Sequence, residues 1–202
     1  MKTVKWRSLF ITSFVCLLPI LLGLALWKEL PQRIAIHFNI YNQPDRFASK
    51  EFAVFGPPVL MVFFQIFCCV VTDLNSKEYG GQKIEGITKW ILPVITVILQ
   101  VVIFLFALEF EIEIRRVVAA LIGGILIVTG NYLPKLNYVK NKKLTSEKAR
   151  KINRFFGIES VIMGLLFLLS IFFPPVATVI CLFLLLPVLI IGGIYSKKTE
   201  KE

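Results

Sequence analysis

One histidine, His37, stands in a chain of 202 residues. Proton transfer and nucleophile activation draw on histidine more often than on any other side chain. The chain also has no Gly-x-Ser-x-Gly elbow and no His-Glu-x-x-His helix. It has no glycine-rich phosphate loop and no pair of aspartates inside an apolar run. These absences leave no catalytic set, and we expect a protein that is not an enzyme. His37 and nearby Asp45 are too few for a zinc site, which takes three or four protein ligands. Four cysteines, Cys16, Cys68, Cys69 and Cys181, lie in apolar stretches without Cys-x-x-Cys spacing. They read as small apolar packing groups. No metal and no cofactor is implied.

Acidic residues are scarce, 13 Asp and Glu against 23 Lys and Arg, for a net charge of +10. There is no internal repeat, no low-complexity tail and no series of alternating segments such as a β-barrel needs. What the chain has in excess is apolar residues, 56% of the total, with a mean hydropathy of +0.76. A soluble domain holds about 45–50%.

The excess comes in blocks. Segments 9–27, 52–71, 90–108, 117–133 and 176–195 carry no charge, and 155–173 carries only Glu159. Each is about as long as the roughly 20 residues that cross the hydrocarbon layer. A backbone facing lipid must satisfy its own hydrogen bonds, so each segment should be a helix. The expected fold is an all-α integral membrane protein of six transmembrane helices in three hairpins. The first segment reads as a retained helix, because a long apolar run is followed by Lys28-Glu29-Leu30-Pro31 and no Ala-x-Ala site. We expect one membrane domain overall. Within it, 1–72 forms an N-terminal helix hairpin with an outer loop, and 73–202 forms a four-helix region.

Basic residues set the orientation. The pieces 1–8, 72–89, 134–154 and the tail fall on one side and hold 17 of the 23, with eight in 134–154. The other side holds Lys28, Arg33, Arg46, Lys50, Arg115 and Arg116. Both chain ends are therefore expected in the cytoplasm. The positive charge then meets anionic lipid, at about 1 kcal/mol per basic residue, and direct nucleic-acid binding is not expected.

The outer loop 28–51 is the most informative stretch. Ile34, Ile36, Phe38 and Ile40 alternate, which predicts a short half-buried strand or extended segment. Asn42-Gln43-Pro44-Asp45 reads as a turn. His37, with Asp45 beside it, is either a structural hydrogen-bonding group or a contact for a ligand. Across the next outer connection, Glu109 and Glu113 would share a helix face, and Glu111 would not. These acids read as a solvated run, or as partners for the first loop or a cationic peptide from outside. The last pair of helices is joined by Pro174-Pro175, so the fifth and sixth must be antiparallel neighbours.

Polar groups within the apolar runs include Gln65, Thr96, Gln100, Asn131 and Glu159. Gln100 should make an interhelical hydrogen bond. Glu159 is placed to pair with Lys151 or Arg154 near the cytoplasmic boundary. Pro19, Pro57-Pro58, Pro93 and Pro187 interrupt backbone hydrogen bonding and can kink their helices. The inner stretch is a topology determinant with lipid contact, or a docking surface. Its candidate contacts are Lys140, Lys142, Lys143, Arg150 and Arg154. Thr145 or Ser146 would cap the helix that follows.

Two blocks carry a resemblance. The first is Leu30-Pro31, Ile34-Ala-Ile36-His37-Phe38-Asn39, Pro44-Asp45, Ser49-Lys50 and Pro57. It resembles the N-terminal domain of unknown function in SdpI-like membrane proteins. The second is 130–137 with Leu144-Thr145-Ser146-Glu147 and Asn153-Arg154-Phe155-Phe156-Gly157. It is similar to the C-terminal half of the same family. That family's inner loop carries an Arg-Thr-Pro-Trp run and a Thr-His-Arg, and this chain lacks the Arg, Trp and His of those motifs. The resemblance implies a bacterial cell-membrane immunity protein against a secreted peptide toxin or bacteriocin. Recognition would fall to His37, Asn39, Asp45 and Lys50 at the outer face, with Glu109 and Glu113 beside them. The resemblance also implies signalling to a cytoplasmic repressor at the inner face. The alternative from a different class is a small membrane transporter or exporter, with Gln100 and Glu159 along its path.

Overall fold

The computed structural model describes residues 3–79, 82–135 and 146–201. Its six long helices are α1 (Trp6–Ala25), α2 (Lys50–Tyr79), α3 (Gln82–Ala107), α4 (Ile114–Tyr132), α5 (Ser146–Ser170) and α6 (Pro175–Lys201). Two strands, β1 (Arg33–Phe38) and β2 (Pro44–Ser49), lie between α1 and α2. All six helices are long and apolar enough to cross a membrane. Large side chains such as Phe63, Phe67 and Phe183 are about two-thirds exposed. Apolar surface on that scale suits a hydrocarbon solvent and not water. The chain is a multi-pass membrane protein.

The helices run further than the uncharged segments. Residues 72–79 and 82–89, expected as a cytoplasmic loop, are helical. Two charges that would mark a loop, Asp73 and Lys89, neutralise one another, with Nζ and Oδ1 2.5 Å apart. Beyond α3, α4 begins at Ile114, so Arg115 and Arg116 belong to its first turn. Residues 109–113 are not helical, which corrects the expectation that Glu109 and Glu113 share a helix face.

The chain divides into two compact units. The first comprises Met1–Leu74 and Gly86–Val117. Its dry centre is Leu30, Ile34, Ala53, Val54 and Phe104. Gly23 lets α1 approach closely, since a Cβ there would stand 2.7 Å from Val54 Cγ1.

Prolines shape the polar contacts of this unit. Pro57 and Pro93 sit inside continuous helices. Each lacks an N–H, so the carbonyl four residues earlier loses its helical donor. Those carbonyls belong to Ala53 and Lys89. Gln100 on α3 donates to the Ala53 oxygen at 2.6 Å, and Gln65 on α2 donates to the Lys89 oxygen at 2.8 Å. The two helices thus supply each other's missing donors. Gln65 Nε2 also lies 2.7 Å from Thr12 Oγ1, which draws α1 into the same contact. The backbone N–H of Lys5 donates to Asp73 at 2.9 Å.

The second unit comprises Asn75–Glu85 and Val118–Glu202. Here α4 and α5 touch backbone to backbone. A Cβ on Gly123 would stand 2.8 Å from the Gly164 carbonyl, and one on Gly157 would stand 2.6 Å from that of Gly130. Small residues at a membrane crossing allow such approach. The expected antiparallel contact of the last two helices is present. Ser170 Oγ and Thr178 Oγ1 are 3.1 Å apart, and Phe155 stacks on Tyr195 with centroids 4.4 Å apart. Pro175 opens α6 at the first helical position, where its missing N–H costs nothing.

Candidate functional site

The stretch between α1 and α2 is an antiparallel hairpin, not a single strand. Its register runs Arg33↔Ser49, Ile34↔Ala48 and Ala35↔Phe47, then shifts before His37↔Arg46. The shift breaks the strict alternation read from the sequence. Ile34 and Ala35 are both buried, while Ile36 and Ile40 are exposed. Pro44 and Asp45, expected in the turn, open β2 instead.

Asn39 builds the turn that the strands require. Its Oδ1 accepts from the N–H groups of Tyr41 (2.9 Å) and Gln43 (3.0 Å), and its Nδ2 donates to Gln43 Oε1. This is the local side-chain to backbone bonding at which Asn excels. Asn42 follows in the left-handed region, φ 63°, which Asn tolerates better than most residues.

Three contacts fix the hairpin to its helices. Lys50 is buried, and its Nζ donates to the Trp27 carbonyl at 2.9 Å while lying 5.2 Å from the Trp27 ring centroid. Phe38 packs edge-on against Phe106, with centroids 4.7 Å apart. Asn42 donates from Nδ2 to the Ile112 carbonyl at 2.9 Å and accepts the Ile114 N–H at 2.8 Å. That last bond caps α4 from a residue 72 positions away in sequence.

Of the residues expected at the outer face, His37 and Asp45 come together, with Nδ1 and Oδ1 2.5 Å apart and both side chains about half exposed. Asn39 and Lys50 serve the hairpin's own architecture. Glu113 pairs with Arg115 and Arg116. Glu109 ends α3 with φ 65°, the Phe110 N–H reaching back to the Leu105 carbonyl and the Glu109 N–H to that of Phe106. This is a Schellman cap with Glu where Gly is commonest. An open groove of about 540 Å³ lies beside it, lined by Asn42, Phe106 and the stretch 109–113.

Inside the spans, Gln100 makes the interhelical bond expected of it. Asn131 is exposed near the end of α4. Glu159 is half buried, and its Oε2 has no hydrogen-bond partner among the described residues. Lys151, expected to reach Glu159, pairs with Glu147 at 3.2 Å. Arg150 and Arg154 are exposed on α5. Lys140, Lys142 and Lys143 lie outside the described residues. No three His, Cys, Asp or Glu side chains are grouped so as to hold a metal ion among the described residues.

Sequence reasoning missed Asn42, the Asp73–Lys89 pair and the carbonyl partners of Gln65 and Gln100. Only the last had a signal, a Gln on one helix facing the residue four before a Pro on its neighbour.

Fold and site together define a multi-pass membrane protein with a structured hairpin that connects α1 to α2 and is fixed to Trp27, to Phe106 on α3 and to the start of α4. Residues 14–62, about a quarter of the chain, match the model of a domain of unknown function (DUF1648), a domain often found in membrane proteins. The match takes in most of α1, the whole hairpin and the start of α2. No curated protein and no solved structure matches the chain.

Proposed function

We propose that this chain is a membrane immunity protein of the SdpI-like kind, which protects a bacterial cell by engaging a secreted peptide toxin at the outer face. The observation that carries this reading is the clamped hairpin. Two strands held by Lys50, Phe38 and Asn42 form a rigid platform, and a preordered surface loses less entropy on binding than a mobile loop. The DUF1648 match centres on that hairpin, which agrees with the resemblance drawn from Leu30-Pro31 through Pro57. Distribution of 17 of the 23 basic residues to the opposite side supports an outward-facing hairpin.

At the inner face, exposed Arg150 and Arg154 contact anionic lipid or a cytoplasmic repressor. The test is survival. A toxin-sensitive bacterium expressing the chain is challenged with secreted peptide toxins encoded beside its gene. Protection against at least one is expected, and growth inhibition equal to that of the empty host by every one of them would refute the reading.

A transporter is the second reading, favoured by Glu159 inside α5, whose Oε2 has no hydrogen-bond partner among the described residues. It requires substrate flux in proteoliposomes that falls in Glu159→Gln.

A further inference from the structure

We propose that the groove beside the hairpin tip binds a cationic, partly apolar peptide segment, through Glu109 and Glu111 at its rim and Phe106, Phe110 and Ile112 along its wall. This deepens the receptor reading by naming the chemistry of the partner, and it rests on that reading for its outward orientation.

The groove lies wholly within the first unit and outside the hairpin that matches DUF1648, apart from Asn42. Its volume of about 540 Å³ accommodates a few side chains. Three carboxylates line it and no cation does. Glu113 is satisfied, since Arg115 and Arg116 both pair with it. Glu109 and Glu111 are exposed and have no ion pair among the described residues. The lining therefore keeps two carboxylates outside any ion pair among the described residues, next to apolar wall, for a local net charge of −1 with Arg115 and Arg116 counted. Phe110 is 58% exposed, a large aromatic surface in the groove lining.

The shape is held in advance. Asn42 fixes the carbonyl of Ile112 and the N–H of Ile114, and the Schellman cap fixes Glu109 and Phe110. A preformed groove with an acidic rim and aromatic wall is complementary to alternating lysine and apolar side chains. An anionic or purely apolar segment would bury those two carboxylates against nothing that answers them.

The experiment uses the full chain in phosphatidylcholine nanodiscs and a fluorescein-labelled hexapeptide of alternating Lys and Phe. Saturable binding above that of empty discs is expected, weakening as salt screens the exposed charges. The double variant Glu109→Gln/Glu111→Gln should bind about tenfold more weakly, and a hexapeptide of alternating Glu and Phe should stay at the empty-disc level. If the double variant melts lower than the parent, Glu111→Gln alone carries the test, because residue 111 takes no part in the cap. Equal binding by parent and variant, or equal binding of the two peptides, would overturn the proposal. The two readings separate cleanly. Cells protected equally by parent and double variant would leave the immunity reading standing and remove the groove. Charge-dependent peptide binding without protection from any toxin would keep the groove and remove the immunity reading.

Discussion

The side-chain amide of Gln100 donates to the backbone carbonyl of Ala53 at 2.6 Å, across 47 residues of sequence. Ala53 lies four residues before Pro57, so its carbonyl has no donor of its own helix to meet. The same relation runs in reverse from Gln65 to Lys89, four residues before Pro93. In lipid an unmet carbonyl finds no water, and the neighbouring helix must answer it. These glutamines therefore compensate for prolines.

Gln100→Leu should destabilise the protein by about 1–2 kcal/mol, within the range for hydrogen bonds inside membranes. Adding Pro57→Ala returns an N–H to residue 57 and should recover much of the loss. Thermal unfolding in detergent reads both steps. A double variant no better than Gln100→Leu would show that the bond serves another purpose.

Asp73 and Lys89 are almost entirely buried, and their charged atoms lie 2.5 Å apart. Lys89→Met leaves a buried carboxylate without its counter-charge and should cost about 3–5 kcal/mol. Asp73→Leu combined with Lys89→Met removes both charges and should be less damaging than Lys89→Met alone. It still removes the Asp73 acceptor of the Lys5 N–H, so full recovery is not expected. Melting temperatures of the three proteins decide this.

Gly130→Ala would drive a methyl to 2.7 Å from the Gly157 carbonyl, and the α4 to α5 crossing would have to open. A loss of about 1–3 kcal/mol is expected, as for other overpacked contacts. Gly124→Ala is the matched control, because nothing lies within 4 Å of its added methyl. That control should be neutral or stabilising by up to about 1 kcal/mol, from helix propensity. Equal effects would contradict the crossing.

Asn42→Ala removes two hydrogen bonds and places Ala at φ 63°. The α4 start should lose about 1–3 kcal/mol of local stability, combining a lost cap with a left-handed Ala. Hydrogen exchange at the Ile114 amide reports this directly, and unchanged protection would count against the cap. Asn42→Gly should fall between parent and Ala, because it keeps the backbone and loses the bonds.

Six helices were legible because each crosses a solvent that tolerates no charge and no bare backbone, and uncharged runs mark that directly. Helix ends were less legible. Asp73 and Lys89 look like loop charges until a partner on the next helix is known, and α4 starts where a distant Asn42 caps it. The hairpin was half legible. Its first strand shows in Ile34 and Phe38, while β2 reads Pro-Asp-Arg-Phe-Ala-Ser and has no apolar alternation. Site residues were read by chemical type, and type did not separate display from architecture. His37 and Asp45 are about half exposed, but Lys50 spends its ammonium on Trp27 and Asn39 spends its amide on the turn.

The claim on which the functional account depends is that the hairpin stands outside the cell. Labelling of single introduced cysteines by a membrane-impermeant maleimide tests it, on a background with Cys16, Cys68, Cys69 and Cys181 replaced. Tyr41 at the hairpin tip and Lys135 after α4 are both exposed, and the account sets them on opposite faces. Tyr41→Cys should label in intact cells, and Lys135→Cys only after permeabilisation. Labelling of Lys135→Cys alone in intact cells would invert the protein and contradict the account.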